Sequence, residues 1–374
     1  MPLPTLRKFL QLESAGGIVL LLSAMIALVL DNSVSAPYYD HFRAAALHIP
    51  FGFFSLRLST MGIVNDGLMT IFFLLIGLEL KREWAYGELS DRKKVLLPAL
   101  AALGGMLVPA LIYFLLNRHQ PHALAGWPIP VATDIAFALG VLSLFGRKIP
   151  LGLKLFLMLL AIFDDLGAVI IIAIFFSGTI SPIACGLTAV VILMLCEMAR
   201  RSVRSLWLWS TAGLLLWGAF FYLGVHPVVA GVLLGLIMPA DSETRFEKIL
   251  HPWVVFVIMP LFALMNAGVH LGWNGLDHAV VLGVVAGLLL GKPLGVLLTS
   301  FLCIRARWAK LPAHTSWHLF VGVAFLCGIG FTMSLFLGTL AFPAGSDSVR
   351  LAVLVGSMAS GLVGSFILLI KKGK

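Results

Sequence analysis

Charge is what this 374-residue sequence has least of: Asp, Glu, Lys and Arg make up 11% of it, against 60% hydrophobic residues. A soluble domain is typically about a quarter charged, and one core in a chain of this length could not hide so much apolar surface. The deficit excludes a water-soluble domain and makes lipid the natural solvent. Paired cysteine chemistry is missing too. The four cysteines, at 185, 196, 303 and 327, lie in apolar stretches without C-x-x-C or Cys/His ligand spacing. Neither a zinc site nor a disulfide frame is expected, and no cofactor. The net charge of +9 does not indicate nucleic acid, because the basic residues stand in short clusters between apolar runs. Glycine, by contrast, is plentiful at 37 residues, which suits close helix packing in membranes.

Twelve apolar segments approach the ~20 residues needed to cross the hydrocarbon. They cover 12–30, 58–83, 95–117, 123–145, 150–176, 181–199, 205–223, 225–239, 249–270, 278–304, 314–341 and 348–370. Arg7 and Lys8 precede the first, and Val34-Ser35-Ala36 resembles a signal-peptidase site; the topology works with the segment retained. With the N-terminus cytoplasmic, all but five of the 26 Lys and Arg fall on inner segments. The exceptions are Arg43, Arg57, Arg118 and Arg350 outside and Lys292 within a span. This asymmetry predicts twelve spans with both termini inside, forming one transporter domain over 1–374. The outer segment 45–58 holds Pro50-Phe51-Gly52 between apolar residues and reads as a small extracytoplasmic β-hairpin.

Two spans look broken at depth. The fourth carries Pro128, Pro130 and the polar pair Thr133-Asp134; the eleventh carries Gly328-Ile329-Gly330-Phe331-Thr332. Pro and Gly loosen the helical ladder, and freed backbone groups then need a cavity or an ion. The two spans cross in opposite directions, so spans 3–5 and 10–12 are expected to form an inverted repeat around the binding site. Similarity of letters is faint: Ala138-Leu139-Gly140 against Phe336-Leu337-Gly338.

An ionised side chain at the bilayer centre costs roughly 2.5–3.5 kcal/mol, so Asp134, Asp164, Asp165 and Lys292 need a reason to be there. Asp66 lies part-way down the second span. Asp164 and Asp165 are adjacent, so their side chains diverge by about 100°; one can line a water-filled path while the other turns to a neighbour. Such a pair titrates as a unit. Sodium and lithium prefer carboxylate, carbonyl and water oxygens, so one site can hold a cation or protons in turn, the minimum for exchange. Asp134 and Lys292 could offset the facing helix ends, partly positive at N-termini and partly negative at C-termini, and Lys292 could pair with Asp164 until a cation arrives. Thr133 could add an oxygen. A cytoplasmic set (Glu79, Lys81, Arg82 and Glu83 with Glu243, Arg245, Glu247, Lys248 and His251) could form a titratable network, and His226, near the outer face, is a capping residue or a second sensor. Two rival readings are an intramembrane aspartyl protease using Asp134 with Asp164 or Asp165, and a sodium-coupled symporter of an organic solute. The Gly-x-Gly-Asp signature of such proteases is absent, and no further polar cluster offers itself to a solute.

Val131-Ala-Thr-Asp-Ile-Ala-Phe-Ala138, Ala161-Ile-Phe-Asp-Asp-Leu166, Gly291-Lys-Pro293 and Gly328-Ile-Gly-Phe-Thr-Met-Ser334 closely resemble the NhaA sodium/proton antiporters. The likeness covers almost the whole chain, including the outer hairpin and His251-Pro-Trp253. It implies a multi-pass protein of the bacterial inner membrane that expels Na⁺ or Li⁺, takes up more protons than it releases sodium ions, and forms a homodimer partly through the hairpin. It implies that Asp164 and Asp165 hold the ion, with Thr133 and Asp134 close by, and that Lys292 partners Asp164 and balances the crossed helices. It assigns pH activation to positions matching Glu79, Arg82, Glu83, Glu247 and His251, with His226 contributing. Some members have His where Lys248 stands, so their pH threshold does not carry over. Inverted repeats with broken helices are a known property of this family.

Overall fold

The computed structural model describes residues 3–51, 54–86, 92–271 and 275–370. The expected hairpin tip, Gly52-Phe53, and the basic C-terminus Lys371, Lys372 and Lys374 lie outside them. The chain is an all-helical multi-pass membrane protein apart from one two-stranded pairing.

In chain order, α1 is Leu3–Asp31 and α2 is Ala36–Ala44, followed by the strands β1 (Ala46–Phe51) and β2 (Phe54–Ser59). Then come α3 (Thr60–Gly62), α4 (Met69–Tyr86), α5 (Arg92–Asn117), α6 (Pro121–Leu124), α7 (Ile135–Leu144), α8 (Leu151–Phe175), α9 (Pro182–Arg200) and α10 (Leu206–Leu223). The remainder is α11 (Val228–Ile237), α12 (Ala240–Trp253), α13 (Met259–Asn266), α14 (His278–Ala286), α15 (Lys292–Arg305), α16 (Trp317–Leu326), α17 (Phe331–Ala341) and α18 (Asp347–Leu369). The strands pair antiparallel, from Ala46 opposite Ser59 to Phe51 opposite Phe54.

Among the described residues nine helices are long and apolar enough to cross a membrane, or up to eleven if each of two bent pairs is one span. That is fewer than the twelve expected. The expected span 225–239 is helical only over α11, ten residues and thus about 15 Å, half of a hydrocarbon core of ~30 Å, the rest of the segment being non-helical. Gly224 ends α10 in the left-handed conformation, at φ 85°, which only glycine adopts freely.

The chain divides into two compact units. The first comprises 1–28, 88–168 and 266–374. In it α5 lies against α15 so closely that a Cβ on Gly104 would sit 2.6 Å from the Gly295 carbonyl oxygen. Small residues that let backbones touch are the usual device of membrane helix pairs. The second unit comprises 29–87 and 169–265. Its core gathers Leu74, Leu78, Leu195, Leu216 and Leu234 around Trp209, whose indole N–H donates to the Val203 carbonyl at 2.9 Å.

Among the described residues three helices carry π-helical segments: Ile63–Leu68 ahead of α4, Val254–Ile258 ahead of α13, and Gly287–Gly291 ahead of α15. Such bulges commonly mark functional positions. The first contains Asp66 and the third ends at the residue before Lys292.

Candidate ion site

In the first unit helical hydrogen bonding is interrupted within two of the expected spans. A 3₁₀ turn at Ile129–Val131 gives way to extended Ala132 before α7 starts at Ile135. Residues 327–330 separate α16 from α17. The window around α16 and α17 is 83% buried, whereas that of α9 is 22% buried; irregular backbone at depth is thus enclosed by protein, as the lack of water requires. The two breaks meet. The Asp134 N–H donates to the Ile329 carbonyl at 2.7 Å, and the Ser334 hydroxyl donates to the Ile129 carbonyl at 2.7 Å.

Asp134, 1% exposed, sits at two helix N-termini. Its Oδ1 accepts the Phe137 N–H of α7 at 2.9 Å. Its Oδ2 accepts the Thr332 N–H of α17 at 3.0 Å and the Thr332 hydroxyl at 2.5 Å. A carboxylate there answers both the orphan donors and the dipoles of the half-helices.

Lys292 lies at the opposite polarity. It is fully buried, and its Nζ stands 2.6 Å from Asp164 Oδ2 and donates to the Val131 carbonyl at the end of the 3₁₀ turn. Asp164 is fully buried as well. Thr133 Oγ1 lies 2.7 Å from Asp164 Oδ2 and 2.8 Å from the Cys327 carbonyl oxygen. A hydroxyl has one proton to give, so it serves one of these acceptors at a time. Asp164 Oδ1 has no hydrogen-bond partner among the described residues. Asp165, 3% exposed, follows on the same helix, rotated by about 100°. Gly330 in the break has no room for a side chain: a Cβ there would run into Ser334 Oγ and lie 3.0 Å from the Ala132 carbonyl oxygen.

The structure therefore brings Thr133, Asp134, Asp164, Lys292, Gly328, Gly330 and Thr332 into one polar cluster. Asp165 lies in the same unit, next to Asp164 on α8, and the other sequence candidates belong to the second unit. Arg82 pairs with Glu247 and, at 3.2 Å, with Glu83. Glu83, Glu243, Glu247 and His251 are buried, and Glu79 is half-buried. Lys81 donates to the carbonyls of Leu236 and Met238. His226 accepts the Val228 N–H of α11 through Nδ1 at 3.4 Å, and its Nε2 is 3.6 Å from Asp66 Oδ1. It is thus a capping residue that also faces an acid.

Sequence reasoning passes over three serines and two carbonyls at the cluster. Besides Ser334, Ser357 Oγ accepts the N–H groups of Gly330 and Phe331, and the Ser360 hydroxyl donates to the Phe325 carbonyl at 2.7 Å. Their i, i+3 spacing puts both on one face of α18, a pattern too common in membrane helices to single out. The Val131 and Cys327 carbonyls carry no side-chain signal at all.

The sequence matches the Na⁺/H⁺ antiporter 1 family over residues 7–368. It is 47% identical to the Na(+)/H(+) antiporter NhaA of Pseudomonas putida over 371 residues, covering 96% of this chain and 95% of that one. It is 48% identical to the Na(+)/H(+) antiporter NhaA of Rhizobium etli, covering 97% and 95%, and 44% identical to the Na(+)/H(+) antiporter NhaA 1 of Klebsiella pneumoniae, covering 97% and 95%. A single family match running through both breaks, the adjacent acids and the buried lysine makes this chain a transporter rather than an enzyme, and a member of the Na⁺/H⁺ antiporter 1 family.

Proposed function

We propose that the chain works as an electrogenic, pH-regulated antiporter of the bacterial inner membrane, exporting Na⁺ or Li⁺ and importing more protons per cycle than sodium ions. The observation that carries this reading is the shortage of protons around Asp164. Three oxygens, Asp164 Oδ2, Thr133 Oγ1 and the Cys327 carbonyl, lie within 2.7–2.8 Å steps of one another through Thr133, and one hydroxyl hydrogen is shared between two of those contacts. The Lys292 ammonium supplies the positive charge. A hard alkali cation can supply it instead, and a proton on Asp164 can satisfy the hydrogen bond.

The cycle follows from that exchangeability. With the site open to an alkaline cytoplasm, Asp164 and Asp165 lose protons, Lys292 leaves Asp164, and Na⁺ takes its place. The site then opens to the outside, Na⁺ leaves, and external protons and the returning ammonium neutralise the acids. Asp134 stays in place, holding two half-helix N-termini together through both states. No resident cofactor is needed.

The twelve-span topology, with both ends cytoplasmic, belongs to the same proposal: nine helices, two bent pairs and α11 occupy all twelve apolar segments. So does the inverted repeat of spans 3–5 and 10–12, supported by breaks in the fourth and eleventh. The network of Arg82, Glu83 and Glu247 with Glu79 and His251 is the proposed cytoplasmic pH sensor, with His226 and Asp66 as an accessory pair. A homodimer is proposed through β1 and β2. Among the described residues that sheet has two strands, and unpaired strand edges are templates for a second chain.

The test is Na⁺- or Li⁺-dependent collapse of ΔpH in everted membrane vesicles. Asp164→Asn and Asp165→Asn are each expected to abolish it while the protein still inserts. Wild-type activity in both variants overturns the assignment.

A further inference from the structure

Three consecutive N–H groups at the start of α17 must be satisfied without water. Gly330 is the N-cap residue and has no side chain to cap with. The Thr332 N–H goes to Asp134 Oδ2 at 3.0 Å. The other two, of Gly330 and Phe331, go to the hydroxyl oxygen of Ser357 on α18, at 3.2 and 3.1 Å. Ser357 is 5% exposed, so nothing from solvent competes. A helix that supplies no cap of its own borrows one from a neighbour.

We propose that Ser357 is a positioning residue for the exchange reaction, fixing the first turn of α17 so that Thr332 meets the Asp134 carboxylate. The residues held are adjacent in the chain: Ser357 holds residues 330 and 331, and Asp134 holds residue 332 through both its N–H and its hydroxyl. Without the serine oxygen, two buried donors lose their acceptor immediately before the N–H that Asp134 holds. The carboxylate then shifts toward them, away from the geometry that serves Thr332 and the Phe137 N–H. One turn further along α18, Ser360 ties down the Phe325 carbonyl in the last turn of α16, so α18 clasps both lips of the break. The bonds that Ser357 accepts come from backbone N–H groups. Its influence passes through backbone, which is why residue type alone gives it no prominence.

This inference rests on Na⁺/H⁺ exchange being the activity, and the experiment separates the two. Wild type, Ser357→Ala, Ser357→Cys and Ser357→Thr are compared in everted vesicles at matched protein level, as apparent KM for Na⁺ and as the pH profile of exchange. Absence of Na⁺-dependent ΔpH change in the wild type would count against the exchange reading, not against Ser357. Given an active wild type, the Ala and Cys variants are expected to raise KM by about three- to tenfold, on the order of the net contribution of one hydrogen bond, and to displace the pH profile. The Thr variant, which keeps the hydroxyl, should stay within about twofold of wild type. Amide hydrogen exchange over 328–334 in the purified protein gives a readout independent of transport. It should quicken in the Ala variant even if activity is lost altogether. Wild-type KM and pH profile in Ser357→Ala, or unchanged exchange over 328–334, overturns the proposal.

Discussion

Lys292 is a cation with no water to hold it. It is fully buried, with the Asp164 carboxylate 2.6 Å away and the Val131 carbonyl as its second partner. Two opposite charges in such a place are mutually dependent: removing one strands the other, at a cost of about 3–5 kcal/mol. Lys292→Met, similar in volume, is therefore expected to lower stability by about that amount. Pairing it with Asp164→Asn should recover a good part of the loss, because no unpaired charge then remains. A double-mutant cycle of thermal melts in detergent measures this coupling; strictly additive losses would contradict it. The same pair makes a prediction about pH. If protons and Na⁺ compete for Asp164 and Asp165, acidification fills the site with protons and Na⁺ must displace them. Apparent KM for Na⁺ should then rise as pH falls, by up to about tenfold per pH unit for each competing proton. Measurement of KM at several pH values checks the sign; a KM independent of pH would mean that the two ions do not share the acids.

At the scale of elements, the α5–α15 pair depends on what its glycines leave out. A Cβ on Gly295 would come within 2.6 Å of the Gly104 carbonyl carbon and 3.1 Å of the Gly105 nitrogen, and backbone cannot rotate aside as a side chain can. Gly295→Val should force the helices apart and destabilise the protein by about 1–3 kcal/mol, the usual range for overpacking, read as a lower melting temperature and a broadened size-exclusion peak. Gly186 on α9 has open space around its Cβ position, so Gly186→Ala should leave both unchanged. Much of this architecture is legible in the sequence, and the reasons differ by element. The breaks at 132–134 and 327–330 are legible because Gly, Pro and an isolated Asp cannot continue a lipid-facing helix. The Asp164–Lys292 pairing is legible because buried charges of opposite sign have few other partners. The π-helical turns are not, since Gly287-Leu-Leu-Leu-Gly291 has the composition of any membrane helix and the extra residue shows only in the hydrogen bonding. α11 reads as a span because apolarity marks burial, while its ten residues reflect where Gly224 and Pro239 interrupt it. The Ser357 and Ser360 bonds are illegible because what they satisfy is backbone.

For the whole molecule the decisive quantity is net charge moved per cycle. In the proposed topology all but five of the 26 Lys and Arg lie on cytoplasmic segments, and that orientation sets the direction in which the membrane potential acts on any imbalance between protons and sodium. An exchanger that swaps one proton for one Na⁺ moves no net charge and ignores that potential. One that brings in an additional proton moves a positive charge inward, and a potential negative inside then drives Na⁺ out. Each net charge gains about 2.3 kcal/mol per 100 mV, equivalent to about fiftyfold in the sodium concentration ratio. Reconstituted into liposomes with equal pH on both sides, the protein should therefore build a sodium gradient when a potassium diffusion potential is imposed with valinomycin, and reverse it when the potential is reversed. The two buried acids, Asp164 and Asp165, and the buried lysine give the site more than one titratable group per cation, which is the physical capacity such an imbalance needs. A sodium distribution indifferent to the imposed potential would reduce the stoichiometry to one for one and leave one of those groups without a proton to carry.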